Sequence, residues 1–167
     1  MKIYRQIFLA IIIMLLTLKG ISQNIMINVL SKNNGIVKKG ETIFFEVTIY
    51  NTSAIKSLPT FKIRPQISFP YTLVSIPVNG HVLPKGWTIT SAKKGVITLS
   101  NGKDIIPENT SRTIFLAMKG IGIGGPSTII GQVFFSNGNA PGDLIGSATL
   151  GDNIADNSST SSITVIK

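Results

Sequence analysis

Apolar and polar positions alternate along most of the chain. Thr42 to Tyr50 puts Ile43, Phe45, Val47 and Ile49 on one side and Phe44, Glu46, Thr48 and Tyr50 on the other. A period of two is the signature of a half-buried strand. Phe61 to Phe69 repeats it, with Phe61, Ile63, Ile67 and Phe69 inward. Pro65 interrupts that run and lacks the N–H a ladder needs, which predicts an edge position or a bulge. Thr113 to Met118 turns Ile114, Leu116 and Met118 to one side, and Ser127 to Ser136 does the same with Ile129, Val133 and Phe135. Ile25 to Leu30, Tyr71 to Ile76, Trp87 to Thr90 and Val96 to Leu99 read as shorter strands, and Ser159 to Lys167 closes the chain with Ile163 and Val165 alternating.

Turn chemistry separates these runs. Asn33-Asn34-Gly35, Gly40, Asn51-Thr52-Ser53 and Ser100-Asn101-Gly102 are turn signals, because Asn and Gly accept left-handed backbone. Gly120 to Gly125 and Asn137 to Gly142 read as loops. No segment after the first twenty residues has a helical period. Seven or more short strands between turns predict an all-β, two-sheet sandwich of the immunoglobulin type.

The N-terminus reads differently. Lys2 and Arg5 precede the apolar run Ile7 to Leu18, and small residues follow at Gly20 and Ser22. That run is too short to span a bilayer, which takes about 20 residues. It fits a signal peptide over residues 1–22, cut between Ser22 and Gln23 or one residue later. An uncleaved amphipathic or core helix is the competing reading. Residues 23–167 then form a single domain, exported to the cell surface, the periplasm or the medium, with no stable membrane insertion after cleavage.

Composition narrows the chemistry. The chain has no Cys, so disulfides, thiol catalysis and a lipid-modified N-terminal Cys are all excluded. The net charge is +9, but the bases are dispersed. Lys38-Lys39 and Lys93-Lys94 each precede a Gly and look like turn tips, while Lys56, Lys62, Arg64, Arg112 and Lys119 stand singly. No aromatic row accompanies them, so nucleic acid is not an expected partner. Lysines at strand edges discourage edge-to-edge pairing.

Catalytic candidates are sparse. The single His, His81, follows Gly80 in a loop and lacks a Gly-x-Ser-x-Gly elbow; an exposed loop histidine is the expectation. The carboxylates Glu41, Glu46, Asp104, Glu108, Asp143, Asp152 and Asp156 are dispersed. No catalytic, cofactor or metal site is expected. Asp152-Asn153 with Asp156-Asn157, and Asp143 nearby, could offer oxygen ligands to calcium. The spacing is not that of an EF-hand, and side-chain-to-backbone turns explain the same residues. Trp87, the only Trp, is either core or, beside Tyr71 or Tyr50, a sugar-stacking platform. The sequons at Asn51, Asn109 and Asn157 read as polar turns.

Gly40-Glu41-Thr42 before a strand, Leu83-Pro84-Lys85-Gly86-Trp87, Ile106-Pro107-Glu108-Asn109-Thr110, and the tail Gly151 to Thr160 give an order of features that resembles bacterial conserved-repeat domains of exported surface proteins. It is also similar to the bacterial cell-adhesion-related domain. The small residue and Gln at the cleavage region look like Bacteroidetes signal peptides. The resemblance spans about residues 25–167. It implies an immunoglobulin-like sandwich acting as a spacer, stalk or adhesive module, with a cell-surface protein or glycan as partner. The expectation is thus a secreted, non-enzymatic structural or adhesive module, with a carbohydrate-binding module using exposed aromatics such as Trp87 as the alternative.

Overall fold

The computed structural model describes residues 24–53, 57, 62–136, 144–145 and 152–167. The signal segment, Phe61, the loop 137–142 and Asp143 lie outside them.

Among the described residues, eleven strands form two sheets: β1 Ile25–Ser31, β2 Ile36–Lys38, β3 Thr42–Asn51, β4 Lys62–Ser68, β5 Val74–Ser75, β6 Thr88–Lys93, β7 Val96–Ser100, β8 Thr110–Gly120, β9 Gly124–Ser136, β10 Leu144–Ile145 and β11 Ser158–Ile166. One sheet has the order β1-β3-β8-β5. The other runs β2-β11-β9-β4-β7-β6, with β10 against β9. Among the described residues every strand pairing is antiparallel except β2 with β11. Two 3-10 turns, Lys32–Gly35 and Ile154–Asp156, are the helical elements among the described residues. Within the same residues, no helix is long and apolar enough to cross a membrane.

The period-two faces form the core. Ile43, Phe45, Val47 and Ile49 of β3 and Ile114, Leu116 and Met118 of β8 are buried. They meet Ile63, Ile67, Ile129, Val133, Phe135, Ile163 and Val165 from the other sheet. Gly131 shares the inner face of β9. A Cβ there would sit 2.4 Å from Val29 Cγ2, so the missing side chain makes room for Val29 of the facing sheet. The lysine pairs do mark turns. Lys94 takes φ 38° in the two-residue loop that joins β6 to β7.

Three expectations change. Pro65 does not mark an edge, because β4 lies between β9 and β7. Ile63 N–H points toward Asn101 on the β7 side. Two residues on, the proline nitrogen faces that same side. Pairing of β4 with β7 starts only at Gln66 and Thr98, so no bond to β9 is lost. The expected strand Tyr71 to Ile76 pairs only at Val74–Ser75, because Leu73 N–H and Val74 N–H both turn back to Pro70 O. The glycine-rich stretch is loop only at 121–123, and Gly124 and Gly125 open β9. A Cβ on Gly125 would lie 2.6 Å from Ile163 O, so only glycine lets the chain run this close to β11.

Both long edges of the four-stranded sheet are sealed. Along β1, Ile25 N–H donates to Asp152 Oδ1 (2.9 Å), Val29 N–H to Ser159 Oγ (3.1 Å) and Ser31 N–H to Ser161 Oγ (3.1 Å). Alternate side-chain oxygens of the β11 segment thus stand in for a neighbouring strand. Along β8, β5 covers one end. Val82 then exchanges two 2.9 Å backbone bonds with Phe115.

Candidate functional site

Trp87 follows the Pro84 turn, its N–H bonding Pro84 O. It is 4% exposed and part of the core, which removes it as a sugar platform. Its Nε1 donates to Asp104 Oδ2 at 2.7 Å. Arg112 grips the same carboxylate at both oxygens, Nε to Oδ2 at 2.8 Å and Nη2 to Oδ1 at 3.0 Å. Asp104 is held by its own turn: its N–H bonds Asn101 O, and Asn101 Nδ2 returns to Asp104 O. Burial alone would raise the Asp104 carboxyl. The bonds from Arg112 and Trp87, with the Arg112 charge, outweigh it and hold the group below its ordinary value. In the sequence Asp104 is one of several dispersed acids; its partners lie 17 and 8 residues away, beyond any local signal.

His81 is not an exposed loop residue. It is half-buried, and Nδ1 accepts the Ala117 N–H at 3.1 Å. The other nitrogen lies 2.9 Å from Pro77 O. Since Ala117 must donate, Nδ1 carries no proton and Nε2 donates to Pro77. The ring thus extends the β8 edge seal, and both nitrogens are spent on backbone.

The Asp-Asn tail closes over the start of β1. Asp152 is 7% exposed. Its Oδ1 takes Ile25 N–H, and its Oδ2 takes Asn157 Nδ2 at 2.6 Å. Asn24 bridges to the tail twice: its Nδ2 donates to Asp156 Oδ2 (3.1 Å), and its Oδ1 accepts Asn153 N–H (3.0 Å). Asn153 Oδ1 caps the 3-10 turn by accepting Ala155 N–H at 3.2 Å. The predicted side-chain-to-backbone turn is therefore present. Burial raises the Asp152 carboxyl, with the Asp156 charge adding to it, against the bonds from Asn157, Ile25 and Asn153. Asp156 Oδ1 and Asn157 Oδ1 are buried and accept no hydrogen bond. No set of three or more His, Asp or Glu converges among the described residues. Of the sequons, Asn51 and Asn157 are buried, Asn51 with its Nδ2 on Ile106 O and Pro107 O. Asn109 is exposed.

The outer face of the four-stranded sheet carries an apolar cluster beside the polar row Asn28, Thr48 and Thr113. Leu30 and Phe115 flank Glu46 in register, and Phe44 sits one pair along, opposite Ala117. Leu30 is 53% exposed and Phe44 39%. Val82, at the β8 edge, is exposed as well, and so is Val78 in the preceding loop. Lys32 Nζ pairs with Glu46 at 2.7 Å and lies 5.8 Å from the Phe115 ring centre. One ion pair thus sits among Leu30, Phe44 and Phe115, with Lys119 at the end of the same face.

Solved structures of the same architecture place the chain among immunoglobulin-like sandwiches. It is similar to a CARDB domain of Pyrococcus furiosus solved with di-metal ions, at 12% identity over 87% of this chain and 90% of that one (TM-score 0.50). A type I cohesin of Pseudobacteroides cellulosolvens matches at 12% over 84% and 92% (TM-score 0.51). A cohesin module from a Clostridium perfringens family 33 glycoside hydrolase matches at 11% over 86% and 96% (TM-score 0.52). No protein-family model matches the chain, and no curated protein does. At these identities the likeness is one of fold, and it agrees with the immunoglobulin-like part of the sequence resemblance.

Proposed function

We propose that this chain is an exported, non-enzymatic module of the bacterial cell surface that binds a protein through the outer face of its four-stranded sheet. The observation that carries this reading is the apolar strip of exposed Leu30, Phe44 and Val82 beside half-buried Phe115, on a sheet whose two edges are already sealed. Exposed apolar surface grouped on one face is the usual mark of an interaction site. The polar groups best suited to chemistry support it from the other side. Asp104 is clamped by Arg112 and Trp87, and both nitrogens of His81 are engaged with backbone. The likeness to cohesin and CARDB domains adds that this architecture serves binding modules. The glycan alternative loses its platform with Trp87 in the core.

The test has two parts. Protein recovered outside the cytoplasm should begin at Gln23 or Asn24; an intact N-terminus inside the cell overturns export. Fluorescently labelled protein should bind the surface of cells that produce it, and the double variant L30D/F44D should bind at least about tenfold more weakly, since two central apolar contacts are lost. Equal binding by that variant overturns the face. Turnover of a peptide or glycan by the pure protein, abolished by changing one carboxylate, overturns the non-enzymatic reading.

A further inference from the structure

The tail turn is unusual in its charge. Asp152 and Asp156 share one turn, and the Asp156 charge helps to raise the Asp152 carboxyl. Among the described residues neither is in an ion pair with Lys or Arg, although the chain carries 16 basic residues against 7 acidic. The donors that reach their carboxylates are neutral: the backbone N–H groups of Ile25 and Asn153 and the side-chain amides of Asn157, Asn24 and Asn153. Two further oxygens, Asp156 Oδ1 and Asn157 Oδ1, come from adjacent residues. The second belongs to a side chain whose residue is 6% exposed and whose amide nitrogen already touches Asp152. Burying a polar oxygen without a donor costs about 1–3 kcal/mol, and both of these oxygens belong to one acidic turn.

We propose that the turn Asp152–Asn157, closed by Asn24, is a calcium site in which Asp156 Oδ1 and Asn157 Oδ1 are protein ligands and Asp152 supplies the second negative charge. The ligand set is oxygen alone, from a carboxylate and a carboxamide on an irregular turn. Calcium tolerates such variable geometry, whereas magnesium demands a near-ideal octahedron and gives up its water reluctantly. Asn153, Ile154 and Ala155 are exposed, so water can complete the shell. With only two carboxylates the affinity falls in the weak range of extracellular modules, a Kd of about 0.1–1 mM. Binding would fasten the start of β1 to the segment that leads into β11.

The inference does not depend on the surface that binds a partner. Its test is thermal unfolding and calorimetric titration of the EDTA-treated protein. Calcium at 5 mM should raise Tm by about 2–6 °C, with saturable heat, and magnesium should do neither. D156N keeps the size of the side chain and removes one charge. It should leave the metal-free Tm within about 2 °C and abolish the calcium shift. E108Q, on an exposed residue elsewhere, should retain the shift in full. Three results overturn the site: no calcium shift at 10 mM in the unaltered protein, an equal shift with magnesium, or an undiminished shift in D156N.

Discussion

Asp104 and Asp152 are both carboxylates folded into turns that end or begin strands, and both lose water on folding. They differ in what replaces it. Asp104 receives a bidentate guanidinium and an indole N–H, so its charge is favoured and its carboxyl sits below the ordinary value. Asp152 receives only a neutral amide and backbone N–H groups, with a second acid nearby, and its carboxyl is raised. Burial pushes the same way in both. The sign is decided by whether a cation is among the partners.

The comparison breaks most sharply at Asp104. Asp104→Ala orphans Trp87 Nε1 and leaves Arg112 half-buried without its partner, and should cost about 3 kcal/mol in urea unfolding. A cost under about 1 kcal/mol would mean that water serves both donors equally well. Next is the seal that Asp152 begins along β1. Ser159→Ala with Ser161→Ala removes the acceptors for Val29 N–H and Ser31 N–H and should cost about 1–2 kcal/mol together, read by the same denaturation and by faster amide exchange at those two positions.

Asp152→Asn should move stability at pH 7 by less than about 1 kcal/mol, because the amide can keep the Ile25 bond while shedding a desolvated charge. The two acids separate cleanly with pH, in calcium-free buffer. A lowered carboxyl adds stability above its unfolded value of about 3.9, and loses it as pH falls further. A raised carboxyl costs stability near neutrality, and the cost is relieved as pH falls from its folded value toward about 4. Stability should therefore rise slightly on mild acidification and fall below about pH 4. Asp152→Asn should flatten the first limb and Asp104→Asn the second; any other assignment of limbs would refute the contrast. The gentlest probe is Trp87 emission, which should be blue-shifted and poorly quenched by acrylamide at pH 7.

What could be read from the sequence follows from range. β3 was legible because its pattern records a single fact, that one face is dry. Ile43, Phe45, Val47 and Ile49 are indeed all buried. Asn33, Asn34 and the Lys94 turn were legible because a turn is decided by its own residues. Pro65 misled because a missing N–H costs nothing when it faces a gap in the pairing, and that gap is a property of β7. His81 misled for the same reason, since its ring serves the backbone of Ala117, 36 residues on. The tail was half legible. Asp and Asn announced a turn, but nothing local told that Asn24 and the start of β1 would dock onto it across more than 120 residues.

The serine seal has a mechanical corollary. β1 and β11 run in the same direction, and the parallel pair β2–β11 continues that alignment to Ile166. A chain entering at Asn24 and leaving at Ile166 therefore exits at opposite poles, about 26 Å apart along the nine residues of β11. Tension applied between those poles would load the side-chain bonds of β1 and the β2–β11 ladder in shear, all sharing the force at once, rather than peeling them open one after another.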